Sequence, residues 1–450
     1  LRQSDWVFPS YREPGIAFPK DPPVGTTIPP LLRFDSNPET LRLDTDGQVG
    51  AARQNFSART VLPGFTGVLD YGFSRYSILP DVNSLPASPA EFQPTAVTAP
   101  TAAEFTVASY NLQRFFDDTN DPAIGEPVLT TAQYQARLNK ASIGIRNYMR
   151  MPDVVGVIEM ENLATLQALA TRISNDAVAA SQPDPQYAAY LIEGNDVGGI
   201  DVGFLVKTAT VGANPRVEVL SVTQELDGTL FTNPDSSTET LNDRPPLMLR
   251  AVIHAANGGT FPVTVIVNHL RSMNDVDNDV AGSNGWATLG ERVRAKRQAQ
   301  AIDLANLVQA RQTADPAERI ILVGDFNAFS VNDSLGDLVA TICGTPAPDA
   351  TTAVVGDGAD LVNPDLVNLG PLGAPAERYS YVFDFTAQMI DQGIVNAALV
   401  NASLARRVEF ARINADFPEI DRSTTDARPA AHDPHVVFVE SPTSLSADLA

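Results

Sequence analysis

Residues 320–328 read IILVGDFNA, and the rest of the chain is best understood outward from them. Four consecutive apolar residues predict a short strand buried on both faces. The run stops at Gly324, Asp325 and Asn327, a combination that predicts a tight, exposed turn at the strand end. Strand ends hold side chains rigidly, so a carboxylate and a carboxamide placed there are candidates for chemistry.

The same pattern recurs along the sequence. FTVASYN (105–111) ends at Asn111, DVVGVIE (153–159) at Glu159, and VTVIVNH (263–269) at Asn268 and His269. A further polar cluster, AAHDPH (430–435), stands just before the last apolar run. Taken singly, an Asn, Asp or Glu at a strand end is most often a turn former or a cap. Three of the four histidines lie at or beside these ends, which favours one shared site; His254 is read as structural. Such a set suits metal-assisted phosphodiester cleavage. Glu159 supplies a hard oxygen ligand for Mg²⁺ or a similar ion. Asp325 suits the acceptor that orients or deprotonates water, with Asn327 positioning a phosphate oxygen or the nucleophile. His269 and His432 suit the groups that stabilise growing charge or donate a proton.

Composition narrows the field. The 450 residues, 44% hydrophobic and 19% charged, suit one large globular domain with a smaller companion. The longest apolar runs are far too short to span a bilayer. A single cysteine, Cys343, excludes an intramolecular disulfide and a cysteine-based metal cluster. The net charge of −23 weighs against a protein that holds nucleic acid by phosphate neutralisation. It weighs less against a hydrolase that meets phosphate locally with metal ions and a few arginines. No charged-then-apolar leader opens the sequence, so its first residues read as the start of a processed chain.

Residues 1–80 hold short strand-like pieces broken by turn residues and predict a small β unit. A Pro/Ala-rich stretch, 81–104, reads as a linker or covering strap. From 105 to 441, strand-like and helix-like segments alternate, with helices expected over 131–150, 163–174 and 291–311. Sheets covered by helices follow, in an α+β or mixed α/β class. Residues 442–450 read as a tail.

SYNLQRFFD, DVVGVIEMEN, VNHLRS, VGDFNAF, YSYVFDFTAQMID and HDP follow one another in this chain, and the ordered set resembles bacterial extracellular nucleases of the endonuclease/exonuclease/phosphatase superfamily. The resemblance covers residues 105–440. It implies a four-layer α/β/β/α sandwich of two mixed sheets, with the site at one edge, and a preceding OB-like β module that is partial here. It also implies a secreted or periplasmic enzyme that needs Mg²⁺ (or Mn²⁺ or Ca²⁺), takes nucleic acid as substrate, and has no membrane or obligate protein partner. By matching position, Asn111 and Glu159 lie at the metal, Asp325 and Asn327 handle nucleophile and phosphate, and His269 and His432 are the catalytic histidines. Asp391 matches the acid that orients the final histidine. Asn111, Asp201 and Arg271 are candidates to contact substrate.

The resemblance breaks at the last motif. The family's usual Ser-Asp-His-Asp-Pro is Ala430, Ala431, His432, Asp433, Pro434 here, and Ala431 cannot bind metal as the usual aspartate does. Asp433 or Asp426 is expected to fill the gap, or else the site is weakened. Gln392 stands where related sequences commonly have histidine. Three readings therefore remain: a metal-dependent nuclease, a phosphodiesterase or phosphatase for a lipid or small phosphate ester, and a binding protein that kept the fold but lost turnover.

Overall fold

Alternate side chains of the long strands point into one shared core, and this alternation sets the architecture. The computed structural model describes residues 17–19, 32–34, 41–72, 75–85, 92–122, 124–383, 386–417 and 430–441. In chain order the main strands are β1 (Glu104–Phe115), β2 (Val154–Met160), β3 (Tyr187–Leu191), β4 (Asp201–Lys207), β5 (Val217–Gln224) and β6 (Leu247–His254). They continue with β7 (Thr260–His269), β8 (Ile320–Asp325), β9 (Val367–Asn368), β10 (Asp391–Val395), β11 (Ala405–Phe410) and β12 (His435–Glu440). One six-stranded sheet runs in the order β11-β12-β1-β2-β4-β3, the other in the order β5-β6-β7-β8-β10-β9. Both are mixed: the central pairs β1/β2 and β7/β8 are parallel, and their neighbours are antiparallel.

The sheets pack face to face. Phe105 and Val107 of β1, Ile158 of β2 and Phe204 of β4 meet Leu249 of β6, Val265 and Val267 of β7, and Ile321 and Val323 of β8. Each such aliphatic side chain, fully buried, stabilises the fold by roughly 1.5–3 kcal/mol. The outer face of the first sheet (Tyr110, Leu112, Val157) is covered by α1 (Thr131–Ile143) and α2 (Leu163–Ala179). The outer face of the second (Ile266, Ile320, Leu322) is covered by α3 (Leu289–Ala314) and α4 (Leu338–Cys343). The result is the expected α/β/β/α sandwich. Among the described residues no helix is long and apolar enough to cross a membrane.

Helix limits follow caps rather than the apolar pattern. Thr130 and Gln133 close a capping box on α1, and Asn162 and Thr288 cap α2 and α3. α1 stops at Ile143 and passes into a π-helical turn, Gly144–Tyr148, instead of running regularly to residue 150. α2 and α3 extend beyond the expected 163–174 and 291–311.

Before the sandwich, Arg42–Leu43, Gly67–Gly72 and Arg75–Pro80 form a three-stranded sheet. The described part of the Pro/Ala-rich stretch is a strap: Thr95 pairs with Arg412, and the amide of Val97, itself buried, donates to the Tyr148 carbonyl. Asp426 and the 442–450 tail lie outside the described residues.

Candidate active site

Strand register assembles half of the site. β7 and β8 are parallel with His269 opposite Asp325, and β8 and β10 are antiparallel with Asp325 opposite Asp391. Three ionisable side chains therefore stand abreast on one sheet, facing the other. Gly324 makes this possible. Its φ is +144°, and a Cβ there would sit 2.0 Å from the carbonyl oxygen of Asn268, so no other residue lets the two strands close up at this point.

The other sheet contributes through irregularities. Glu159 has φ +60° and sits at a register shift between Ile158 and Met160, a bulge that re-aims its side chain. β1 breaks register between Asn111 and Phe115, and this bulge turns the Arg114 amide to donate to Glu159 Oε2 at 2.8 Å. The Asn111 amide nitrogen donates to both Glu159 Oε1 and Asp325 Oδ2, each at 3.0 Å, while its oxygen accepts from the Gln113 amide. Asn111, expected at the metal, instead links the carboxylates of the two sheets through its NH₂, and its oxygen is taken by the Gln113 amide.

The imidazoles close the cluster. His269 Nε2 lies 3.9 Å from both Glu159 Oε1 and Asp325 Oδ2. His432 Nε2 lies 3.9 Å from Asp325 Oδ2, and its Nδ1 is 2.8 Å from Asp391 Oδ2. One ligand atom from each of Glu159, His269 and Asp325 falls within 4.8 Å of the others, and so does one from each of Asp325, Asp391 and His432. The two histidines are in opposite states. Burial, then the charges of Arg244 and His432, hold His269 well below its usual range, so it is neutral. Burial pulls His432 the same way, but Asp391, then Asp325 and Glu159, lift it to about 9, so it is imidazolium at neutral pH. Burial and the neighbouring Asp391 raise Asp325 to about 7.

Asn327, two residues beyond Asp325, has φ +47°. Its amide donates to Asp325 Oδ1 at 2.8 Å and its side chain donates to the Leu270 carbonyl at 3.0 Å. Arg271 follows His269 at the rim, 29% exposed, with only a loose 4.0 Å approach to Asp243 among its described ion pairs. Its backbone is pinned from α3, where Gln300 accepts from its N–H and Arg297 donates to its carbonyl. Arg297 also donates to the Asn327 carbonyl. The first half of α3 is accordingly buried yet polar, a feature its apolar stripe did not reveal.

Two expected residues stand apart. Asp201 pairs in register with Met160, next to Glu159, but its described partners are the Gly194 amide and Glu193, and burial followed by Glu193 raises it to about 8. Asp433 does not fill the place of the absent family aspartate. Its Oδ1 accepts from the amides of Ile413, Asn414 and Ala415, and its Oδ2 from Arg412. Both oxygens are committed to holding the loop that carries His432. Gln392 likewise serves packing, donating to the Ala328 and Met389 carbonyls.

Two contributors were not singled out from sequence. Tyr381 stacks on the His432 ring at 4.6 Å, within the quoted YSYVFDF motif but without any local signal of this contact. Arg412, 2% exposed, is recognisable only from its partners in space.

No protein-family model matches the chain, and no curated protein matches it. Among solved structures it is similar to D. rerio TDP2 complexed with single strand DNA product, at 16% identity and TM-score 0.41, over 74% of this chain and 98% of that one. It is similar to the human Nocturnin catalytic domain with bound sulfate anion, at 14% identity and TM-score 0.41, over 76% and 96%. It is also similar to the endonuclease/exonuclease/phosphatase from Bacteroides vulgatus, at 12% identity and TM-score 0.42, over 75% and 99%. Identities and TM-scores this low transfer neither activity nor ligand to the chain, and its layered fold stands on its own strand pairings.

Proposed function

We propose that this chain hydrolyses phosphodiester bonds with the help of a divalent cation, and that its substrate is nucleic acid. The observation that carries the reading is the meeting of Glu159, Asp325, Asp391 and two histidines, one neutral and one charged, brought from separate strands and one loop into a single cluster.

Glu159 and Asp325 fit a hard cation such as Mg²⁺, Mn²⁺ or Ca²⁺, because both offer anionic oxygen. Burial and then Asp391 account for most of the rise of Asp325, and Glu159, across the Asn111 amide, adds to it. When bound there, a cation polarises the phosphate and makes water a better nucleophile.

The chain's own groups divide the remaining work. Asp325 is placed to accept the proton of the attacking water, with its orientation fixed by the Asn327 amide. His432 is placed to offset charge on the phosphate oxygens and to hand its Nε2 proton to the leaving oxygen, while Asp391 fixes its ring through Nδ1. Neutral His269 is suited to donate a hydrogen bond to a phosphate oxygen, and Arg271 to meet a phosphate at the rim.

The test is degradation of plasmid DNA and of RNA with Mg²⁺ or Mn²⁺, with and without chelator. Cleavage that chelator abolishes supports the reading; none with either metal at high enzyme concentration defeats it. A second reading, a phosphodiesterase for smaller phosphate esters, is favoured by the net charge of −23, which repels a long polyanion. Turnover of bis(p-nitrophenyl) phosphate without turnover of DNA or RNA would select it. We also propose export from the cell and an OB-like character for the N-terminal β unit, both on sequence resemblance.

A further inference from the structure

We infer that Arg59, in the segment that precedes the Pro/Ala strap, is a positioning residue for the His432–Asp391 pair, so that turnover depends on this segment being docked against the sandwich. The inference rests on the reading of His432 and Asp391 as working groups.

A continuous set of contacts supports it. The Arg59 guanidinium meets Glu377 in bidentate fashion, Nη1 to Oε1 at 2.9 Å and Nη2 to Oε2 at 3.1 Å. Nη2 also donates to the Tyr379 hydroxyl at 2.7 Å and to the Ala376 carbonyl at 3.2 Å. Glu377 and Tyr379 are in turn the partners of buried Arg412, which donates from Nε to Glu377 Oε2 at 2.9 Å and from Nη1 to the Tyr379 carbonyl at 2.6 Å. The same Nη1 reaches Asp433 Oδ2 at 3.1 Å.

Ser380, fully buried, is where these contacts reach the site. Its carbonyl accepts from the Asp433 amide at 2.7 Å, and its hydroxyl accepts from the Asp391 amide at 3.2 Å. One residue beyond Tyr379 therefore touches the backbone of both Asp391 and the neighbour of His432. The docked segment is further held by the Ala58 amide, which donates to the carbonyl of Asp416, and the Asp416 carboxylate in turn accepts from the Tyr379 hydroxyl at 2.7 Å. Arg59 itself adopts φ +66°, a conformation a non-glycine residue keeps only when its surroundings enforce it.

The geometry separates this role from simple bracing. The Arg59 side chain is 28% exposed and touches no residue of the catalytic cluster directly. Its loss leaves Arg412 on Glu377 and Tyr379 and the sandwich core in place, but removes the bidentate hold on Glu377 and the bonds to Tyr379 and Ala376, which should loosen the 376–380 segment without unfolding it. A small displacement of a catalytic group costs rate more than it costs binding.

The experiment compares Arg59→Ala, the milder Arg59→Lys, and Arg172→Ala as control. The Arg172 side chain is equally exposed and pairs with Asp176 on α2, away from the His432 loop. The readouts are kcat and KM on the substrate turned over by the wild type, thermal unfolding, and the ring resonances of His269 and His432. Arg59→Ala should lower kcat roughly tenfold with KM changed less than about twofold. It should shift the His432 resonances and leave those of His269 in place. Arg59→Lys should fall between it and wild type, since lysine keeps the charge but not the bidentate contact, and Arg172→Ala should move neither. The inference is overturned if Arg59→Ala leaves kcat and the His432 resonances unchanged. It is equally overturned if the loss of rate in both Arg59 variants is accounted for by the unfolded fraction. Should the wild type turn over no phosphodiester, the function proposed above fails, while the His432 resonances still decide the positioning role.

Discussion

The two histidines of the site are both buried and each lies 3.9 Å from Asp325, yet they are built differently. His269 ends a long strand and is held by the ladder of β7 and β8; its Nδ1 has no hydrogen-bond partner among the described residues. His432 lies in a loop and is held by side chains: Asp391 at Nδ1, Tyr381 against the ring face, and Asp433 clamping the backbone that follows. The first is neutral and the second is charged. Rigid backbone alone positions a hydrogen-bond donor, whereas storing a proton in a buried site takes a carboxylate behind the ring.

Several substitutions would break or sharpen this contrast. Asp325→Ala removes the group both rings face and the candidate proton acceptor, so hydrolysis should fall by about 10³-fold or more with the far-UV spectrum retained. Near-wild-type rate would mean that the site is elsewhere. His432→Ala should cost on the order of 10²–10³-fold in kcat and His269→Ala less, because only the first removes a stored proton. An inverted order, measured on one substrate, would contradict the charge assignment.

Asp391→Asn tests the stored proton without removing the ring. His432 has its folded-state pKa raised to about 9 from 6.5, so the pairing adds stability that is fully present below pH ~6.5 and lost as pH rises through about 9. In chelator, chemical denaturation should show the wild type exceeding Asp391→Asn at pH 6, with the gap closing by about pH 10. A gap that widens with rising pH would refute the assignment. Ala431→Asp should have the smallest effect, a gain of roughly tenfold or less in Mg²⁺ affinity by titration calorimetry, because Asp433 is already committed to the loop. No gain would mean that a carboxylate outside the described residues serves there.

Much of this was legible in the sequence because it depends on local pattern. The apolar runs ending at Asn111, Glu159, His269 and Asp325 marked the strands and their tips, and strand register then fixed which tips are neighbours. What escaped depends on partners distant in the chain. Asp433 looked like a ligand because carboxylates bind metal, and only Arg412 and three amides about twenty residues earlier show otherwise. The bulge at Glu159 left no local mark, since a left-handed glutamate is held by context rather than by propensity. The polar buried half of α3 reads as an ordinary solvated face until the loops it pins are seen.

Gly324 offers a lesson for anyone scanning this chain by saturation mutagenesis. It carries no functional group, yet the carbonyl of Asn268 leaves no room there for even a methyl. Replacement should part the two strands whose tips hold His269 and Asp325, and so mimic the loss of both at once. Its intolerance would register as catalytic importance in an activity screen, and only a companion measurement of folding would show that its contribution is empty space.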